Sequence, residues 1–221
     1  MKRAYFYTVS ERLWHWLQAG AILTLIITGL LIHWSDEGSI YLTGIRRAHY
    51  IAAFILMAVA AFGLLYHALS GHLQQFLPEP NDFMTMAFRQ AVYYARDIFS
   101  GKRHPFNRNP ETKLNPLQKL TYLVILNLLL PLQVISGLLL LSSPYWLSGI
   151  EKIGGISGWM ALHVLGAWLF GAFVIAHIYL TTTGHTPLAH IEAMITGWDY
   201  TDDPDDDLVG ETGSEEHGTA A

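Results

Sequence analysis

Charge falls along this chain in blocks. Four stretches, about Leu13 to Trp34, Tyr50 to Leu69, Leu120 to Ser142 and Trp159 to Thr183, contain no Lys, Arg, Asp or Glu. As helices, each is long enough to cross about 30 Å of hydrocarbon. The pattern predicts an all-α integral membrane protein, a bundle of four transmembrane helices in one domain. The first run is too long for a signal core and lacks a small-residue cleavage pattern, so it is expected to be retained.

The connections carry their own signals. Asn81 to Phe99 has apolar and aromatic residues at helical spacing with Arg89, Arg96 and Asp97 among them, which predicts a surface helix over 81–99. The stretch KRHPFNRNPETKLNPLQK, with Pro105, Pro110 and Pro116, reads as extended and turn-rich. Pro131 and Gly137 inside the third apolar run predict a kink or a local widening. After the fourth run, GHTPLAHIEAMITGW predicts a short interfacial helix. From Asp199 onward the chain is acidic and poor in apolar residues, so the domain is expected over 1–198, with a disordered tail over 199–221.

Composition sharpens this. Of 221 residues, 52% are hydrophobic and 14% charged, which fits a membrane protein. Ten of the 13 basic residues flank the first run or lie between the second and third; only Arg46, Arg47 and Lys152 fall on the other side. Since Lys and Arg stay inside, both termini and the long loop are expected on the cytoplasmic side. The net charge of −5 comes largely from the tail. No basic patch suggests nucleic acid. There is no cysteine, which excludes disulfides, thiolate-held iron–sulfur clusters and haem attached through Cys-x-x-Cys-His. No nucleophile–base pair, phosphate-binding loop or convergent carboxylate pair is present, so catalysis on a small polar substrate by this chain alone is not expected.

What remains inside the spans is histidine. His163 and His177 lie fourteen residues apart on the fourth run. That spacing is about 1400° of helix, roughly 40° short of four circles, and about 21 Å of rise, so both imidazoles share a face near opposite membrane surfaces. His15 and His33 on the first run, and His49 and His67 on the second, are each eighteen residues apart. By helix direction, His33, His49 and His163 lie at one depth and His15, His67 and His177 at the other. Two bis-histidine sites for non-covalent haem b follow, one at each end of the fourth helix. Zinc would want carboxylate or thiolate help that the spans lack. Spacing alone does not choose between His33 and His49, or between His15 and His67. His72, His104, His185, His190 and His217 fall outside the spans and read as surface histidines.

The chain up to about Trp198 resembles the bacterial four-helix di-haem cytochromes b. These include membrane subunits of nickel–iron hydrogenases, formate dehydrogenases and thiosulfate reductases, together with small cytochrome b561 proteins. The likeness rests on ERLWHW opening the first helix, His49 opening the second, and the His163 to His177 spacing. It implies that His15 and His177 hold a cytoplasmic-side haem, and that His49 and His163 hold an outer one. His33 and His67 are then spare, His67 bonding to a haem propionate or lipid headgroup. KLNPLQK is similar to the Asn-x-x-Gln-Lys segment of the formate dehydrogenase and thiosulfate reductase branch. By that likeness Asn115, with Gln118 and Lys119 nearby, would meet a quinone, menaquinone or ubiquinone, beside the cytoplasmic-side haem. Asn115-Pro116 is also a good helix start, with asparagine as cap and proline at the first position.

The expected function is a haem-bearing membrane anchor. It would pass electrons between the quinone pool and periplasmic enzyme subunits holding iron–sulfur, molybdenum or nickel–iron centres, and the formate dehydrogenase or thiosulfate reductase type is preferred over the hydrogenase type. A stand-alone cytochrome b561 serving a small redox partner such as superoxide is the alternative. A haem-free proton or metal pathway is a third reading.

Overall fold

A computed structural model describes residues 2–36, 38–69, 83–102, 105–106 and 114–201. Two compact units divide the chain, and they interleave along it. One comprises residues 13–77 and 120–180; the other gathers residues 1–12, 78–119 and 181–221.

The first unit is built from four helices long and apolar enough to cross a membrane. Helix α1 runs over Val9–Trp34, α2 over Leu42–Leu69, and α6 over Gly155–Thr181. The third span is composite and longer than its apolar run suggests. Helix α4, Pro116–Val124, passes through one π-helical stretch, Ile125–Leu129, into α5, Leu130–Lys152. Together these make 37 residues, or about 55 Å of helix, more than a hydrocarbon core requires. The widening falls just before Pro131, whose ring clashes with the preceding turn and which has no N–H to donate. Gly137 sits in regular helix; the second irregularity is at Trp146, with φ −136° and ψ 37°, two residues after Pro144.

Side chains of these helices are arranged as lipid demands. Large apolar residues such as Leu17, Ile27, Phe54, Phe62, Leu128, Ile135, Trp168 and Ile175 point outward, while Ala21, Ala52, Ser136 and Gly166 are buried. Small interior residues let backbones approach where no hydrophobic force draws helices together. Helices α1 and α2 are fixed by such an approach. The Trp14 indole lies where a Cβ on Gly63 would stand, and its Nε1–H donates to the carbonyl of Val59 at 3.1 Å.

In the second unit a strand from each end of the chain meets the other. Strands β1, Lys2–Tyr5, and β2, Trp198–Thr201, pair antiparallel, with Tyr5 opposite Trp198. The Tyr5 and Trp198 rings pack edge to face, with centroids 5.4 Å apart, and the Arg3 guanidinium lies over the indole. Helix α7, Ala189–Thr196, leads into β2 through Gly197, whose φ of 89° and whose closeness to the Tyr5 ring leave no room for a side chain. The Arg12 guanidinium donates to the carbonyl of Ile195. Asp199, expected in the disordered tail, is instead 4% exposed and in contact with His190, Oδ2 to Nδ1 3.4 Å. The tail expectation therefore fails for 199–201, because the stabilising partner of this acidic segment is a strand some two hundred residues away. Residues 202–221 lie outside the described residues.

The remaining differences are local. Helix α1 starts four residues before the apolar run because Thr8 and Glu11 form a reciprocal capping box: Thr8 N–H to Glu11 Oε2 is 2.8 Å, and Glu11 N–H to Thr8 Oγ1 is 3.3 Å. The surface helix expected over 81–99 is α3, Phe83–Ala95, followed by a short 3-10 turn, Asp97–Ser100. Ala87, Gln90 and Tyr93 form its buried face.

Gly63 gives a direct test of the α1–α2 packing. Gly63→Val should force Trp14 out of its seat, at a cost of about 1–3 kcal/mol for overpacking. A lower melting temperature of the detergent-solubilised protein is expected; an unchanged one would refute the close approach.

Candidate haem site

Helix α6 presents both of its histidines to neighbours in the four-helix unit. His177 faces His15 of α1, with ring centroids 6.2 Å apart and planes at 46°. Fourteen residues away, His163 faces His49 of α2, with centroids 6.3 Å apart and planes at 71°. All four rings are half-buried. His33 is exposed and packs on Trp34, at 5.7 Å between centroids. The side chain of His67 is outside the described residues.

Neither pair is in hydrogen-bonding contact, yet each is held at a definite separation. Two imidazoles on opposite sides of one metal, with metal–nitrogen bonds of about 2 Å and ring centroids roughly 1 Å beyond the ligating nitrogens, have centroids about 6 Å apart. The gaps match that figure. Among the described residues no group of three or more His, Cys, Asp or Glu converges, so the donor sets offer two imidazoles each. Such a set suits the axial positions of a haem and not a closed tetrahedral site.

At one pair a hydroxyl lies within hydrogen-bond distance of Nδ1 of each imidazole. The hydroxyl of Thr28 lies 2.6 Å from the carbonyl of Thr24 and 3.3 Å from that of Leu25 in its own helix, and commits its one proton there. Its oxygen, 2.8 Å from His49 Nδ1, must then accept. Ser136 repeats this on α5: its hydroxyl donates to Leu132 at 2.6 Å or Gln133 at 3.2 Å, and its oxygen is 3.0 Å from His163 Nδ1. With each hydroxyl donating to its own carbonyl, Nδ1 of the imidazole beside it is the donor and Nε2 offers a lone pair, the form a metal ligand requires. Glycine follows each hydroxyl residue, and at Gly137 a side chain would crowd the ring. A Cβ at Gly29 would stand 3.5 Å from His49 Cε1, and one at Gly137 would stand 3.1 Å from His163 Cε1.

The other pair is held differently. His177 stacks on Phe173, at 5.7 Å and 27°, and His15 packs edge-on to Trp16. His15 Nδ1 is buried with no hydrogen-bond partner. Below His163, Gln133 donates from Nε2 to that residue's carbonyl at 3.1 Å, while its Oε1 fills the space above Gly166.

Asn115, 5% exposed, lies in the second unit. It caps α4. Its Oδ1 accepts from Gln118 N–H at 2.8 Å, Gln118 Oε1 accepts from Asn115 N–H at 3.0 Å, and Asn115 Nδ2 donates to the Tyr94 hydroxyl at 3.2 Å. Lys119 donates its backbone N–H to the Asn115 carbonyl. Both acceptor oxygens of the Asn115–Gln118 pair are therefore taken by helix capping.

Thr28, Ser136, Phe173, Gln133 and Tyr94 escaped the sequence reading. A threonine or serine in an apolar helix can satisfy itself on its own backbone, so its type alone points nowhere. The recoverable signal is a repeat: Ile-Thr-Gly at 27–29 and Ile-Ser-Gly at 135–137, the same device on two helices.

With this geometry in hand, comparison with known proteins is direct. The family model of the prokaryotic cytochrome b561 matches residues 7–197, and the chain belongs to that family. It is a multi-pass membrane cytochrome that carries b-type haem and transfers electrons. YdhU of Escherichia coli K12, named as a cytochrome, is 29% identical over 89% of this chain and 75% of its own length. Two chains named as Ni/Fe-hydrogenase B-type cytochrome subunits are similar too. The Rhodobacter capsulatus chain is 28% identical over 79% of this one and 72% of itself, and the Cupriavidus necator chain is 27% identical over 81% and 79%.

Asn115 separates capping from other roles. Asn115→Ala should cost about 0.5–2 kcal/mol through the lost cap, whereas Asn115→Asp keeps the acceptor oxygen and most of that stability. Thermal melts of the two variants check this; equal losses would remove the cap from the account.

Proposed function

We propose that the protein is the di-haem membrane anchor of a periplasm-facing respiratory oxidoreductase in a bacterial inner membrane. It joins an iron–sulfur-bearing metalloenzyme outside to the quinone pool. The observation that carries this reading is the pair of imidazole couples on α6, 6.2 and 6.3 Å between centroids, at opposite ends of one membrane-crossing helix. His15 and His177 would hold one haem b, and His49 and His163 the other. Haem iron supplies reversible one-electron chemistry when bound. The chain's own part is to hold four half-buried imidazoles as two facing pairs along one helix. It orients one pair through Thr28 and Ser136. The surplus of Lys and Arg places His49 and His163 toward the outer surface, with both termini inside.

Partner and quinone rest on narrower support. The hydrogenase cytochromes among the relatives favour a nickel–iron partner. The formate dehydrogenase or thiosulfate reductase type, with its molybdenum partner, rests on KLNPLQK, whose Asn115 and Gln118 oxygens are committed to capping. Quinone contact by this segment therefore falls to its donors, Asn115 Nδ2 and the Tyr94 hydroxyl, with Lys119 nearby.

Haem-to-protein stoichiometry and a reduced-minus-oxidised spectrum test the ligand sets. Wild type should hold two haems per chain; His163→Ala and His177→Ala should each hold one, with different spectra. Retention of both haems in either variant would refute the assignment. Purification in mild detergent tests the anchor role: co-purifying metalloenzyme subunits are expected, and a solitary haem protein fully active with quinone would leave the stand-alone cytochrome. Asn115→Asp, which keeps the cap and loses the Nδ2 donor, should slow quinone turnover with haem content unchanged.

A further inference from the structure

The two imidazole couples differ in what stands behind them. Behind His49 and His163 are hydroxyls on two further helices, α1 and α5, so all four spans contribute at this depth. Thr28 is 8% exposed and Ser136 fully buried. Each hydroxyl donates a hydrogen bond to a carbonyl one turn earlier in its own helix, at 2.6 Å in both cases, and each is followed by a glycine beside the imidazole. Two helices have thus arrived at one arrangement: carbonyl, hydroxyl, imidazole, with a glycine beside it. Behind His15 no such hydroxyl stands among the described residues, and its buried Nδ1 has no hydrogen-bond partner among them.

We infer that Thr28 and Ser136 are positioning residues that lock His49 and His163 as Nδ1–H tautomers and, through that hydrogen bond, hold down the midpoint potential of the haem between them. The inference rests on the proposed di-haem reading. Donation of Nδ1–H to an oxygen whose own proton is already committed draws the imidazole toward imidazolate character. A more basic imidazole gives more electron density to the metal and favours its ferric state. In a water-poor interior such a chain of hydrogen bonds is stronger than in solution. The arrangement is present at one couple and missing from at least one ligand of the other. It therefore biases electrons away from the His49/His163 haem, toward the His15/His177 haem.

The test is a potentiometric titration of purified, haem-loaded protein, with haem counted first by pigment extraction. Two haems in wild type uphold the underlying reading; none would end it and the inference together. Given two, Thr28→Val and Ser136→Ala should each raise the same one of two midpoints, the one missing from His163→Ala, and leave the other unmoved. Thr28→Ser, which restores the hydroxyl, should return the wild-type value. If Thr28→Val loses that haem outright, Thr28→Ser must keep it at the native midpoint, and loss there too overturns the relay. Full haem content with both midpoints unchanged in the Val and Ala variants overturns it as well, as does a shift confined to the other haem.

Discussion

Everything in the four-helix unit is arranged around pairs of imidazoles held apart. Two histidines some 6 Å between centroids in an apolar interior gain nothing from each other: they do not hydrogen-bond, and a shared burial would be costly if either were charged. What such a gap admits is a metal with two open axial positions. Placing one gap near each end of α6 requires a helix of unbroken regularity, and α6 is the straightest segment of the sequence in that respect, with neither proline nor charge over 27 residues. Irregularity is confined to the third span, where the π stretch and the break at Trp146 lie on either side of the Ser136 level.

The supporting helices divide the work. Helices α1 and α2 each bring one imidazole to face α6, and α1 brings in addition the hydroxyl that meets His49 of α2. Helix α5 brings no imidazole to either pair, yet its Ser136 lies 3.0 Å from His163 Nδ1 and its Gly137 lies close beside that ring. A helix can thus contribute to a facing pair of imidazoles without supplying either ring, through a hydroxyl that meets one of them.

Much of this could be read before any coordinates. Block-wise absence of charge marked four spans, and the fourteen-residue spacing put both histidines of α6 on one face, because helical periodicity is a local property. The choice between His33 and His49 was open in the residues alone, since it depends on which face of a neighbour turns inward. The structure turns His49 toward His163 and leaves His33 exposed. Thr28 and Ser136 were hidden for a related reason, as their meaning appears only once another helix brings an imidazole within reach. The misjudged segment was Asp199 to Thr201, acidic and unremarkable by composition, and ordered by residues at the far end of the chain.

The strand pairing has a bearing on biogenesis. Strand β1 precedes all four spans in the chain and β2 follows them, so the ribbon they form cannot close until the last span has been threaded and its downstream segment has emerged on the side where the first waits. Joined by Arg12 to Ile195 and by Tyr5 to Trp198, it closes only in a molecule whose two strands lie on one face of the lipid, which an even number of crossings leaves them and an odd number does not.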